Sequence, residues 1–166
     1  MPYLDLIQMA ALYDTGEALH ASLELAEVLN QAATLGGRLM RARQCALFLF
    51  GERDTGLRFH ATPELPPGAE AIFAPLLDEL KQTGQMVNIL NGQADSRWAA
   101  LEVGPILIAP LRANDKMLGA LYAGKAVDGQ PFTEGDLNLL EAFAAQAARA
   151  IGNAQLYSLL PHLRTR

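Results

Sequence analysis

The sequence predicts an α+β domain in which terminal helices cover one face of an antiparallel sheet and a central segment covers the other. Three observations lead there. Two pairs of apolar strand-like runs are each joined by a short polar turn, helical periodicity occupies both ends of the chain, and a further helical stretch separates the two hairpins. With 166 residues, 51% of them hydrophobic, the chain is long enough to bury one substantial core. A single domain over residues 1–166 is expected, with terminal helices at about 3–20 and 133–160.

The first element is read from Leu4, Ile7, Ala11, Leu12, Ala18 and Leu19, which recur at spacings near three and four with Asp5, Gln8, Asp14 and Glu17 between them. This is the pattern of an amphipathic helix. Ser22 is placed to cap a second helix, whose apolar face is Leu25, Val28, Leu29, Ala32 and Leu35; Glu24 and Glu27 suit its positive end, and Gly36-Gly37 weakens its last turns.

Cys45 to Phe50 is apolar on both faces, which predicts a central strand covered on each side. Asp54-Thr55-Gly56 supplies a turn, and Leu57, Phe59 and Ala61 continue with period two, completing a hairpin. After Pro63, Pro66, Pro67 and Gly68 a helix is expected from Ala69 to Lys81, with Ile72, Phe73, Leu76, Leu77 and Leu80 facing the core. Pro75 offers an alternative start, since proline is tolerated in a first helical turn. Gln85 to Ile89 reads as a short strand and Asn91 to Glu102 as a long connection with a helical turn near Ser96 to Leu101.

Ile106–Leu111 and Met117–Ala123 form a second hairpin about Ala113, Asn114 and Asp115. Gly119 within it points to another element in close approach. The closing helix carries Leu137, Leu140, Ala144, Ala147, Ile151 and Ala154 at alternating spacings of three and four, and its small residues suit close packing on the sheet or across a dimer seam.

Charge narrows the function classes. The formal net charge is -5, and the arginines are interleaved with acids or confined to the tail, so no broad positive field for nucleic acid is expected. No apolar run approaches the roughly 20 residues that span a bilayer. Cys45 is the sole cysteine, which excludes an intrachain disulfide and a multi-cysteine metal site and fits a cytoplasmic setting. His20, His60 and His162 lack metal-ligand spacing.

In this order, the hairpin CALFLFGERDTGLRF, the segment ILIAPLRANDKMLGALYAG and the stretch FTEGDLNLLEAFAAQAARAIGNAQLY resemble a GAF domain, the small-molecule sensing module of signalling proteins. The resemblance spans roughly Leu12 to Tyr157. It implies a GAF-like central antiparallel sheet of five or six strands, with the terminal helices on one face and a helix- and loop-covered cavity on the other. The cavity would be roofed by Ala69–Lys81 and Asn91–Glu102.

Asn88, Asp95, Arg97 and Trp98 place polar groups among apolar ones there, and Phe59 and Phe73 flank the same space, a mixture that suits a small aromatic or heterocyclic ligand. Each has a structural reading too: Arg97 on the surface, Trp98, Phe59 and Phe73 as core, Asn88 and Asp95 as caps. Of the pattern carried by cyclic-nucleotide-binding members, Lys125, Phe132 and Asp136 match while an Asn and a Glu are missing, so that ligand gains little support. Cys45, read as a buried strand thiol, is a poor counterpart of the cysteine that carries chromophore in bilin-binding members.

The expectation is a noncatalytic sensing or regulatory domain that couples ligand occupancy to the terminal helices, to a homodimer through them and to a fused output domain, with no nucleic-acid or membrane partner. Two alternatives stand beside it. One is a ligand-free structural dimerisation module whose cavity is filled by Phe59, Phe73 and Trp98. The other is a GAF-type methionine sulfoxide reductase, whose chemistry needs a nucleophilic cysteine and a resolving partner.

Overall fold

The computed structural model describes residues 6–19, 24–50, 58–62, 69–89, 104–126 and 130–158. In chain order these form α1 (Leu6–Leu19), α2 (Leu25–Leu39), β1 (Ala42–Leu49), β2 (Arg58–Thr62), α3 (Ala69–Thr83), β3 (Val87–Ile89), β4 (Ile106–Ala113), β5 (Lys116–Ala126) and α4 (Glu134–Ser158). The strands make one antiparallel sheet in the order β2-β1-β5-β4-β3. The α+β class follows from three layers: α2 and α4 on one face of the sheet, with α1 against them, and α3 on the other.

Alternation along the central strands explains why they read as unbroken apolar runs. Cys45, Leu47 and Leu49 of β1, Leu107, Ala109 and Leu111 of β4, and Leu121 and Ala123 of β5 join the α2/α4 core. Their neighbours Ala46, Phe48, Ile106, Ile108, Ala120 and Tyr122 join Phe73, Leu76, Leu77 and Leu80 of α3. A strand buried on both faces has no polar side to show.

The two layers are built differently. On the α4 side small residues bring backbones close: Ala144, Ala147, Ala148, Ala150 and Ala154 are buried. A Cβ at Gly36 would lie 3.0 Å from the Phe143 ring and 3.1 Å from the sulfur of Cys45, so α2 continues through Gly36-Gly37 because its glycine sits at that contact. On the α3 side large side chains fill the gap between helix and sheet.

Several boundaries differ from the sequence expectation. Glu24, not Ser22, precedes α2, and it makes no side-chain cap; Ser22 lies outside the described residues. β1 begins at Ala42 rather than Cys45, because Ala42 and Gln44 pair with Ala126 and Gly124 of β5. α3 begins at Ala69 as its helical spacing predicts, and of the two starts considered the one at Pro75 is excluded, since Pro75 lies inside the helix. Phe73, Leu76, Leu77 and Leu80 are fully or nearly buried, and that burial outweighs the roughly 3 kcal/mol a helix-interior proline costs.

The β4–β5 hairpin turns on Asn114 and Asp115, with φ of 53° and 62°, the two left-handed positions of a two-residue turn that matches strand twist. Gly119 is required by a close approach: a Cβ there would collide with the carbonyl of Phe48 on β1. A reciprocal cap opens α4, where the Thr133 amide donates to Asp136 Oδ2 at 2.8 Å and the Asp136 amide donates to Thr133 Oγ1 at 3.1 Å.

Of the residues suited to a dimer seam, Ala144, Ile151 and Ala154 are taken up by the α4-side core, whereas Ile7 is 82% exposed; Leu156 is also exposed, at 61%. α1 packs on α2 and α4, and among its described side chains Leu12 packs against the core while Ile7, Met9 and Tyr13 face outward.

Candidate functional site

The α3 face of the sheet is assembled from alternate residues of three neighbouring strands. Gln44, Ala46 and Phe48 of β1 stand beside Gly124, Tyr122 and Ala120 of β5, and Ile106 and Ile108 of β4 pair with Gly124 and Tyr122 from the other side. Alanine at 46 and 120 leaves room for rings at 48 and 122. Phe73, carried by α3, occupies that room: its ring centroid lies 4.9 Å from Phe48 and 4.8 Å from Tyr122, tilted against the first and edge-on to the second.

A polar pair lies at one end of this aromatic cluster. The Tyr122 hydroxyl donates to Gln44 Oε1 at 2.9 Å, and both side chains are buried. Gln44 is the one buried polar side chain in the core among the described residues. Gly124 makes the pairing possible, since a Cβ at that position would occupy the place of the Tyr122 hydroxyl. Burial, with a smaller contribution from Cys45, pushes the Tyr122 phenol well above its ordinary value, so it is a neutral donor. The chemistry offered is that of flat apolar rings with one uncharged hydrogen-bonding edge.

The C-terminal end of α3 is tied to the sheet. Gly84, at φ 67°, donates to the Leu80 carbonyl at 2.7 Å and closes the helix in the left-handed conformation. Arg112 of β4 donates from Nη2 to the Gly84 carbonyl at 2.7 Å, and the Lys81 ammonium stands 5.0 Å over the Phe50 ring.

The sequence-predicted site residues fall into three groups. Phe73 is at the centre of the α3 face and fully buried. Asn88 is exposed on β3, in register with Leu107, a residue of the α4-side core, so it stands on the opposite side of the sheet from Phe73 and the two do not form one site. Asp95, Arg97 and Trp98 lie outside the described residues, as does the side chain of Phe59, whose backbone pairs with Phe48.

Two residues of the α3 face were missed. Tyr122 and Gln44 read in sequence as ordinary strand positions; a glutamine opening an apolar run, 78 residues before a tyrosine followed by Ala-Gly, was the available signal.

Cys45 points the other way. Its sulfur lies by Gly36 in the α2/α4 core, and burial pushes the thiol up to about 12. Phe132 and Asp136, which match part of a cyclic-nucleotide pattern, are a buried residue of the α4-side core and half of the α4 cap. Among the described residues no helix is long and apolar enough to cross a membrane, and no group of three His, Cys, Asp or Glu side chains is placed to hold a metal ion.

The family model described as "GAF domain" matches residues 24–151. Among solved structures, the GAF domain of an Acinetobacter phosphoenolpyruvate-protein phosphotransferase is similar at TM-score 0.75 and 20% identity, over 92% of this chain and 97% of that one. The GAF domain of a phosphoenolpyruvate-protein phosphotransferase from Coxiella burnetii is similar at TM-score 0.72 and 15% identity, with the same coverages of 92% and 97%. Free methionine-R-sulfoxide reductase from Neisseria meningitidis, solved with its substrate, is similar at TM-score 0.70 and 13% identity, over 95% of this chain and 98% of that one. At these identities the likeness is one of fold.

Proposed function

Since the chain belongs to the GAF domain family, we propose that it is a noncatalytic small-molecule sensing or regulatory domain of cytoplasmic signal transduction, acting on a fused output domain. One observation carries this reading. The two faces of the sheet are packed differently: small-residue helices seal one, while among the described residues α3 alone, held off by large side chains, covers the other, around aromatic rings and a buried Gln44–Tyr122 pair. In this proposal the α3 face is the ligand face, Phe73 and Tyr122 meet a ring of the ligand, and Phe59 together with Asp95, Arg97 and Trp98 completes the site. Asn88, on the opposite side of the sheet, takes no part.

Occupancy reaches the ends of the chain through β5, which touches the α3 core at Tyr122 and the α4 core at Leu121 and Ala123. Dimerisation, in the same proposal, uses the outward residues Ile7, Met9, Tyr13 and Leu156 in place of the buried alanines of α4. Native mass spectrometry of gently purified protein, then denaturation, tests the ligand: a stoichiometric small molecule with a ring supports the reading.

A second reading draws on the burial of Phe73. A ligand-free dimerisation module would have its α3 side filled by its own side chains, as Phe73 fills the space between Phe48 and Tyr122. It expects a dimer by light scattering and no released molecule. The reductase reading is disfavoured by Cys45, whose thiol is held neutral in the α4-side core, away from the α3 face.

A further inference from the structure

We propose that Pro75 divides α3 into a fixed C-terminal half and a movable N-terminal half, and that Phe73 is a plug which leaves its place between Phe48 and Tyr122 when the N-terminal half swings out. The sensing reading supplies the purpose of this gate, but the mechanics stand on α3 itself.

Three observations converge. Pro75 has no amide hydrogen, so the Ala71 carbonyl receives no bond from it and the helical ladder is broken two residues beyond Phe73. The half after Pro75 is held several times over: by burial of Leu76, Leu77 and Leu80, by Arg112 on the Gly84 carbonyl, by Lys81 over Phe50, and by β3, which follows within four residues and pairs with β4. The half before Pro75 is committed to the core by Phe73, fully buried, with Ile72 partly buried beside it. Among the described residues, opening this half exposes Phe73, part of Ile72 and the rings beneath them, whereas opening the other half also requires breaking an Arg–carbonyl bond and the β3–β4 pairing. Local opening of such unequal units has unequal cost.

The test is thiol labelling of the whole chain with Ellman's reagent. Phe73→Cys and Leu80→Cys are compared, both positions being fully buried, with Cys45 as an internal reporter of opening on the other face. The thiol at position 73 is expected to react about tenfold or more faster than the thiol at position 80 and than Cys45, and Pro75→Ala is expected to remove that difference. Equal rates at 73 and 80, or an advantage at 73 that survives Pro75→Ala, would overturn the proposal. Should Phe73→Cys fail to fold, amide exchange at Ala74 relative to Leu80, with and without Pro75→Ala, gives the same decision: the ratio falls about tenfold if Pro75 is the hinge and stays constant if it is not. No ligand enters these experiments, so their failure leaves the mass-spectrometric test of sensing untouched.

Discussion

The hydroxyl of Tyr122 reaches Gln44 at 2.9 Å inside the α3-side core, across a β1–β5 step where the missing side chain of Gly124 leaves room for it. A hydrogen bond in that setting is costly to leave half made. Tyr122→Phe strands the Gln44 amide oxygen and is expected to lower stability by about 1–3 kcal/mol in urea unfolding. Converting the pair together, Tyr122→Phe with Gln44→Leu, should recover part of that loss.

Gly124→Ala tests the same site from the backbone. The added methyl group displaces the Tyr122 hydroxyl, so the variant is expected to lose at least as much stability as Tyr122→Phe. Gly119→Ala is expected to be more severe, since the obstacle there is the Phe48 carbonyl, which cannot rotate away. Circular dichroism melts of the two variants side by side give the order.

Alkaline pH is expected to destabilise the fold. Burial raises the Cys45 thiol from 9.0 unfolded to about 12 folded, and Tyr122 shifts in the same direction. The folded state therefore holds protons that the unfolded chain releases. Stability is full below about pH 9 and declines as pH rises toward about 12, by about 1.4 kcal/mol per pH unit for each such group within its window. Urea midpoints between pH 8 and pH 11 measure the slope, and Cys45→Ala is expected to flatten it.

Thr133→Ala removes one half of the reciprocal cap of α4 and is expected to cost about 1 kcal/mol. Asp136→Asn keeps an acceptor at the same place and should cost less. Thermal unfolding of the two variants measures the contribution of each half of the cap.

Much of the fold was legible because its strongest signals are local. The apolar run at Cys45–Phe50 announced a strand covered on both faces, the Asn114-Asp115 pair announced its turn, and Gly119 announced the close approach that the Phe48 carbonyl makes. Pro75 left two starts open for α3, at Ala69 or at Pro75 itself, because propensity is a local term, while the burial of Phe73, Leu76, Leu77 and Leu80 that decides for Ala69 is a tertiary one. The alanines of α4 carried two readings in sequence, sheet or dimer seam, since small residues serve both; only packing assigns Ala144 and Ala154 to the core of the domain itself.

The candidate site was less legible. Phe73 was found from helical spacing, but Gln44 and Tyr122 meet across 78 residues, a pairing set by the β1–β5 register that no local pattern encodes. Asn88 looked polar and well placed, yet a three-residue strand assigns faces by parity, and its parity is that of Leu107 rather than of Val87 and Ile89.

The claim that the α3 face receives a small molecule is tested most directly by methyl NMR of the isoleucines and leucines during titration with a metabolite extract of the expression host. The account predicts shifts at Ile106, Ile108 and Leu77, on the α3 side, ahead of any at Leu107, Leu121 and Leu140, on the α4 side. Shifts confined to the α4 side, or none on either face at the highest extract concentration, would contradict it.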